Sequence, residues 1–189
     1  MRLGVLALQG AFAEHLAVLA RLGVDGFEIR KLADLDGGID GLILPGGEST
    51  VMGRLLKDTG LFEPLKALID GDLPVFGTCA GMILLAKKIE NDPTVHFGAI
   101  GVTVRRNAYG RQLGSFQTVE DFDGIGKVPM TFIRAPYITE VEDGVRVLAT
   151  VNGAKVAAEC GNILVTSFHP ELTDDLRVHQ YFLGKVAGR

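Results

Sequence analysis

Short unbroken apolar runs alternate with longer amphipathic stretches through the first half of the chain. Leu3–Leu8, Gly26–Arg30, Gly41–Leu44 and Pro74–Phe76 have strand length. Ala11–Leu22, Ser49–Lys57, Phe62–Asp70 and Ala80–Lys88 read as helices. Strands that are apolar throughout are buried on both faces, and strands separated by helices pair in parallel. The second half changes period. Ala99–Arg105, Ser115–Phe122, Met130–Ile133, Val145–Val151, Lys155–Cys160 and Asn162–Phe168 read as β, with turn signals at Asp143-Gly144 and Asn152-Gly153. A last helix is expected over Asp174–Ala187, with Thr173 as its N-cap. The pattern predicts an α/β fold: three layers, with a mainly parallel central sheet and helices on both faces.

Composition narrows this picture. The chain has 189 residues, 47% hydrophobic and 22% charged, enough for one domain spanning 1–189 with a sizeable core. A net charge of −4 favours neither nucleic acid nor an anionic membrane. The apolar N-terminal run is short, and Gln9, Gly10 and Glu14 interrupt it, so it reads as a first buried strand rather than a signal peptide or a span. Two cysteines, Cys79 and Cys160, make no disulfide framework, and a free reactive thiol needs a reducing compartment. A cytoplasmic location is the expectation. No His/Cys/Asp/Glu cluster has metal spacing, and there is neither a Walker nor a dinucleotide glycine fingerprint. Neither a metal nor an organic cofactor is expected.

Gly77-Thr78-Cys79-Ala80-Gly81 lies between an apolar run and a helical run. It is the cysteine form of a nucleophile elbow: a side chain carried on a tight strand-to-helix turn, with glycines letting strand and helix approach closely. Partial positive charge at a helix N-terminus favours thiolate. The plainer alternative is a buried cysteine in a glycine-rich turn. Ser167-Phe168-His169-Pro170-Glu171 follows the last apolar run. A thiol nucleophile needs a base, and the base needs an orienting acceptor. Cys79, His169 and Glu171 thus form a candidate triad, set against a strand-end histidine held by a local carboxylate.

Gly46-Gly47-Glu48-Ser49-Thr50 follows the third strand. Acyl transfer through cysteine generates an oxyanion that needs two N–H donors. Ala80, just after the nucleophile, and Gly47 are the candidates. The alternative is an ordinary turn ending in a Ser49 N-cap, and the two readings are compatible. Glu48 could also receive an ammonium or amide. Arg106 and Arg134 could each fork a carboxylate, or be solvated surface arginines. Cys160 reads as core and His15 as structural or interfacial, while His96 and His179 have no evident partner. Gln9-Gly10, Gly46–Thr50, Cys79 and His169 all follow strands, which brings them to one sheet edge, where open α/β sheets bind ligands.

These residues resemble the class I, triad-type glutamine amidotransferases, which have a flavodoxin-like fold. Within them the chain is similar to the glutaminase subunits of pyridoxal 5′-phosphate synthases. The likeness runs through Leu8-Gln9-Gly10-Ala11 with Glu14-His15, Leu44-Pro45-Gly46-Gly47-Glu48-Ser49-Thr50, the elbow, Arg106-Asn107 with Gly110-Arg111-Gln112, Phe132-Ile133-Arg134-Ala135-Pro136 and Ser167–Thr173. The resemblance implies hydrolysis of glutamine to glutamate and ammonia. It implies a (β/α)8-barrel synthase as partner, which builds pyridoxal phosphate from a pentose phosphate, a triose phosphate and that ammonia. It places the glutamine contacts on Gly47, Glu48, Ser49, Arg106, Ile133 and Arg134. Three rivals remain at this level: a class I glutaminase serving imidazole-glycerol-phosphate or purine synthesis, a cysteine hydrolase of the protease/chaperone type, and a non-enzymatic flavodoxin-like binding module.

Overall fold

The computed structural model describes residues 1–107 and 114–188. The Gly110-Arg111-Gln112 motif lies outside the described residues. The first half runs β1 (Arg2–Leu6), α1 (Phe12–Arg21), β2 (Asp25–Ile29), β3 (Gly41–Leu44), α2 (Ser49–Asp58), α3 (Phe62–Asp70), β4 (Val75–Thr78) and α4 (Ala80–Leu85). The second half runs β5 (Ala86–Ile89), β6 (Ile100–Arg105), β7 (Ser115–Phe122), β8 (Gly126–Ile133), β9 (Tyr137–Val141), β10 (Arg146–Val151), β11 (Ala154–Cys160), β12 (Ile163–Thr166) and α5 (Arg177–Ala187).

The main sheet has ten strands in the order β2-β1-β3-β4-β12-β11-β9-β6-β5, with β10 pairing β11. From β2 to β12 every pairing is parallel. The antiparallel pairings gather around β11 and β9. β7 and β8 form a separate two-stranded ribbon.

The strand pleat sorts side chains between two apolar clusters. Leu42, Leu44, Val75 and Val165 face one cluster, with Met52, Leu56, Leu65 and Leu84 from α2, α3 and α4. Ile43, Phe76 and Leu164 face the other, with Leu19 from α1, Phe182 from α5 and Phe122, Met130 and Phe132 from the ribbon. Helices therefore cover both faces, as the unbroken apolar strands predict.

Three expectations need correction. The helix after the elbow stops at Leu85, not Lys88: Ala86 turns extended at φ −60°, ψ 140°, and Ala86–Ile89 pairs in parallel with β6. Lys87 and Lys88 favour helix locally, but a neighbouring strand with open backbone groups overrides propensity. β9 has no counterpart among the expected strands, and it carries the sheet from β11 to β6. The last helix begins at Arg177, and Thr173 does not cap it. The Thr173 hydroxyl instead donates to the Pro170 carbonyl (3.0 Å), and the Arg177 N–H donates to Asp175 Oδ1 (3.0 Å).

Candidate active site

β2 lies on one side of β1, and β3 and β4 on the other, so the chain reverses direction across the sheet between β1 and β3. Such a switch point leaves a crevice at the strands' carboxyl ends. A cleft of about 680 Å³ opens there, lined by Gln9, Gly10, Gly46, Gly47, Glu48, Ser49, Cys79, Ala80, Arg106, Ile133, Arg134 and His169 among others. Every expected site residue except Glu171 lines it. Glu171 stands behind His169.

Cys79 sits between β4 and α4 with φ 50° and ψ −103°. A positive φ is uncommon for a residue with a Cβ, and it is held here by the surrounding structure. The Cys79 N–H donates to the Thr166 carbonyl at the end of β12 (2.7 Å), while its carbonyl accepts from Ile83 N–H (3.3 Å). The elbow's second glycine is required by close approach: a Cβ on Gly81 would collide with the Leu44 carbonyl. Cys79 is 6% exposed.

His169 follows β12, and its N–H donates to the Thr131 carbonyl of β8 (2.8 Å). Its Nδ1 lies 2.6 Å from Glu171 Oε1. Pro170 opens a short 3-10 turn, Pro170–Leu172, that carries Glu171 beneath the ring. Gly46 packs against the imidazole so closely that a Cβ there would overlap it. Burial opposes charge on His169, but the Cys79 and Glu171 side chains outweigh it and raise its pKa to about 10. Burial also pushes the Glu171 carboxyl up, yet the His15 and His169 imidazoles hold it below its usual range.

The glycine loop is tied to the turn after β1. Ala11 N–H donates to the Gly46 carbonyl (2.9 Å), and Glu48 N–H donates to Gln9 Oε1 (2.8 Å). The cap of α2 is Glu48, not Ser49: its carboxylate accepts from Thr50 N–H (3.2 Å) and Val51 N–H (3.0 Å). Ser49 is the first helical residue and is buried. Arg106 is not a freely solvated arginine. It pairs with Asp92 and donates to Thr50 Oγ1 (3.2 Å), which fixes its guanidinium at the cleft. Ile133 and Arg134 are exposed at the end of β8, and Arg134 has φ 43° with its N–H on the Gly114 carbonyl.

Two histidines prove more central than sequence reasoning indicates. His15 and His179 are fully buried. They sit on the apolar faces of their helices, beside Val18 and Leu19 on α1 and Val178, Phe182 and Val186 on α5. A histidine in register with core positions is the signal that could have marked them. His15 Nδ1 lies 2.9 Å from His179 Nε2, and His15 Nε2 lies 3.1 Å from Thr78 Oγ1 and 3.6 Å from Glu171 Oε2. Burial lowers the pKa of both, that of His179 to about 3. Cys160 is half-buried against the first core cluster, away from the cleft. His96 packs over Gly53 of α2.

A thiol beside an imidazole that a buried carboxylate holds, next to a glycine loop, suits attack on a carbonyl or amide carbon. A chain from Streptococcus pneumoniae (strain ATCC 700669 / Spain 23F-1), pyridoxal 5′-phosphate synthase subunit PdxT, is 58% identical over 186 residues, 97% of this chain and 96% of that one. The protein of the same name from Methanocorpusculum labreanum is 62% identical over 188 residues, 100% of this chain and 99% of that one. A crystal structure of a glutamine amidotransferase superposes with a TM-score of 0.93 at 42% identity, covering 99% of this chain and all of the other. The PurLQS structure from Thermotoga maritima shares the fold, with a TM-score of 0.66 at 17% identity over 99% of this chain and 95% of its own. The SNO glutamine amidotransferase family model matches residues 5–188, elbow, glycine loop and His-Pro-Glu turn included, and the chain belongs to that family.

Proposed function

We propose that this chain is the glutamine-hydrolysing subunit of a pyridoxal 5′-phosphate synthase, and that residues 1–189 form one glutaminase domain. The observation that carries the chemistry is that Cys79 and His169 line one cleft while Glu171, behind it, holds His169 Nδ1 through Oε1 at 2.6 Å. The assignment to this synthase rests on relatives about 60% identical along nearly the whole chain. Glutaminases of imidazole-glycerol-phosphate or purine synthesis are set aside by the family match.

In this reading the glutamine carboxylate and amine are held by Arg106, Arg134, Glu48 and Ser49, with the backbone at Gly47 and Ile133. The Cys79 thiolate attacks the side-chain amide carbon. The carbonyl oxygen becomes an oxyanion held by Gly47 and Ala80 N–H groups. The imidazolium of His169 gives its proton to the departing nitrogen, so ammonia leaves and a thioester remains. Water then adds to the thioester with His169 as base. Collapse releases glutamate and returns the thiol. Glu171 keeps His169 in the tautomer that aims Nε2 at the sulfur. The ammonia passes to a (β/α)8-barrel synthase without reaching bulk water, in a cytoplasmic complex.

The ties from Gly46 and Glu48 to Gln9 and Ala11 support control by that partner. A surface that moves the turn after β1 also moves the loop that supplies an oxyanion donor. One misplaced donor costs about 10²–10³ in kcat. Glutamate release is measured at saturating glutamine, with and without the synthase partner. Strong stimulation by the synthase alone is expected, together with labelling of Cys79 but not Cys160 by a glutamine-like electrophile. Equal rates, or equal stimulation by an unrelated protein, would reject partner control. Failure to label Cys79 would reject the nucleophile.

A further inference from the structure

The catalytic line does not end at Glu171. One carboxylate oxygen, Oε1, holds His169. The other, Oε2, is buried and accepts no hydrogen bond from the described residues. A bare carboxylate oxygen in the interior is costly, and taking up a proton would relieve that cost. His15 Nε2, at 3.6 Å, is the polar group that faces it across the α1 side, and both side chains are wholly inaccessible to solvent. His15 Nδ1 in turn meets His179 Nε2 at 2.9 Å. Glu171, His15 and His179 therefore form a dry row reaching from the 3-10 turn through α1 to α5.

The row selects one arrangement of protons. Burial keeps both imidazoles neutral, so each carries a single N–H. With the proton of His15 on Nδ1, His15 turns a lone pair toward the Glu171 carboxylate. His179 must then carry its proton on Nδ1, an atom without a hydrogen-bond acceptor among the described residues. That arrangement lets the Thr78 hydroxyl donate to His15 Nε2 but buries an unpaired donor at His179 and turns the His15 lone pair toward the carboxylate. With the proton of His15 on Nε2, the N–H donates to Thr78 Oγ1 (3.1 Å) and brings its positive end to within 3.6 Å of Glu171 Oε2. His179 Nε2–H then donates to His15 Nδ1, and only a lone pair at His179 Nδ1 is left unmatched. An unmatched acceptor is the milder defect.

We propose that His15, locked as its Nε2–H tautomer by His179, is a positioning residue that steadies the second oxygen of Glu171 and thereby keeps the first on His169. The inference rests on the triad reading given above. His15 touches neither the thiol nor the cleft, so it acts through Glu171 alone. The charged or titratable groups around Glu171 are His169 with Cys79 beyond it, His15 with Glu14 next to it on α1, and His179 on α5. Of these, only His15 faces Oε2.

The sign of the effect follows from the donor. An N–H aimed at a carboxylate favours its ionised form. Removing it raises the Glu171 pKa, and a protonated Glu171 no longer supports His169. The test is the pH profile of kcat/KM for glutamate release by the complex with its synthase, for the wild type, His15→Leu and His15→Gln. Leucine fills much of the space and donates nothing. Glutamine places an N–H near the position of Nε2. The acid limb of His15→Leu should move upward by about half to one pH unit, less than a full hydrogen bond to a charged group would give, because the N–H stands 3.6 Å from the oxygen. The acid limb of His15→Gln should stay near the wild-type position. An unshifted limb in folded His15→Leu, or equal shifts in both variants, overturns the proposal, since packing alone then accounts for His15. Nitrogen chemical shifts of the wild-type imidazoles, read by long-range proton–nitrogen correlation, supply a measurement that needs no variant to fold. A His15 proton on Nδ1 overturns the proposal. His169→Asn is run alongside: if it stays active the triad itself falls, whereas an inactive His169→Asn beside an unshifted His15→Leu removes only the role of His15.

Discussion

Glu171→Gln is the sharpest probe of the buried couple. The amide has the carboxylate's shape, and its carbonyl oxygen can still accept from His169 Nδ1 at the position where Oε1 stands 2.6 Å away. Orientation is kept while the charge is lost. His169 has a pKa of about 10 where an exposed imidazole has about 6.5, a gap on the order of 5 kcal/mol in favour of the imidazolium. That balance is struck against burial, which opposes the charge, and Cys79 and Glu171 together produce it. The share of Glu171 is set by one buried, charge-assisted hydrogen bond, about 1.5–3 kcal/mol. The variant should therefore titrate His169 about one to two pH units lower. If the same interaction is what stabilises the imidazolium in the transition state, kcat falls roughly 10- to 150-fold. His169→Asn removes the base itself and should lose activity almost wholly.

Two measurements read this prediction. Steady-state glutamate release, with glutamine saturating and the synthase partner present, gives the rate. Proton–nitrogen spectra across pH give the His169 titration. A Glu171→Gln enzyme with the wild-type rate and an unmoved titration would show that Glu171 neither orients nor charges His169. Stability carries the same signature. A raised histidine pKa contributes stability that is complete below about 6.5 and is lost as pH climbs through about 10. The lowered Glu171 pKa contributes stability present above the usual carboxylate range and lost as pH falls through its folded value. The couple is thus strongest in mildly acidic solution, and the wild type should lose more stability than Glu171→Gln between pH 6.5 and 10.

Other outcomes are expected from the same geometry. Cys79→Ser should fold normally and lose glutamine hydrolysis, because a hydroxyl is a far weaker nucleophile, while Cys160→Ser keeps substantial activity; the reverse pattern in a glutaminase assay would move the nucleophile. Arg106→Lys should raise KM, since a single ammonium cannot engage Asp92, Thr50 and a substrate carboxylate together, and Arg134→Lys should do the same through loss of the planar fork; unchanged glutamine saturation curves in both would remove them from the substrate site. His179→Phe should flatten the fall of stability on acidification. The unfolded chain binds a proton at His179 below about 6.5 and the native chain only near 3, a cost of about 2 kcal/mol by pH 5, and equal slopes in thermal melts at pH 7 and 5 would count against a buried neutral His179.

The sequence was most legible where one period governs a whole element. Gly41–Leu44 and Phe62–Asp70 appear with the bounds that their apolar patterns suggest. It was least legible where a distant strand decides. Ala86–Ile89 contains two lysines and follows a helix without a break, and only β6 beside it makes it a strand. The cleft residues were readable because elbow, glycine loop and His-Pro-Glu turn are local backbone devices with local signatures. His15 and His179 were not, because their meaning lies in a meeting of two side chains that are 164 residues apart in sequence. Neither helix alone shows which partner its buried imidazole will find.

The two parts of the site are fastened differently. Cys79, His169 and Glu171 are fastened by backbone bonds to β12, β8 and the 3-10 turn, and their side chains pack against core or against one another. Shifting any of them disturbs buried contacts on both faces of the sheet. The Gly46–Ser49 loop is held differently. Gly47 and Glu48 are exposed, and the ties at Gly46 and Glu48 run to Gln9 and Ala11 in a surface turn. On the proposed reading, a synthase docked on this turn would reset the oxyanion donor at the cost of a few exchangeable hydrogen bonds, each worth about 1 kcal/mol net. It need not move the thiol or its base. If the proposed reading holds, the nucleophile is built once, by folding, and the donor that makes it effective is left to the synthase partner.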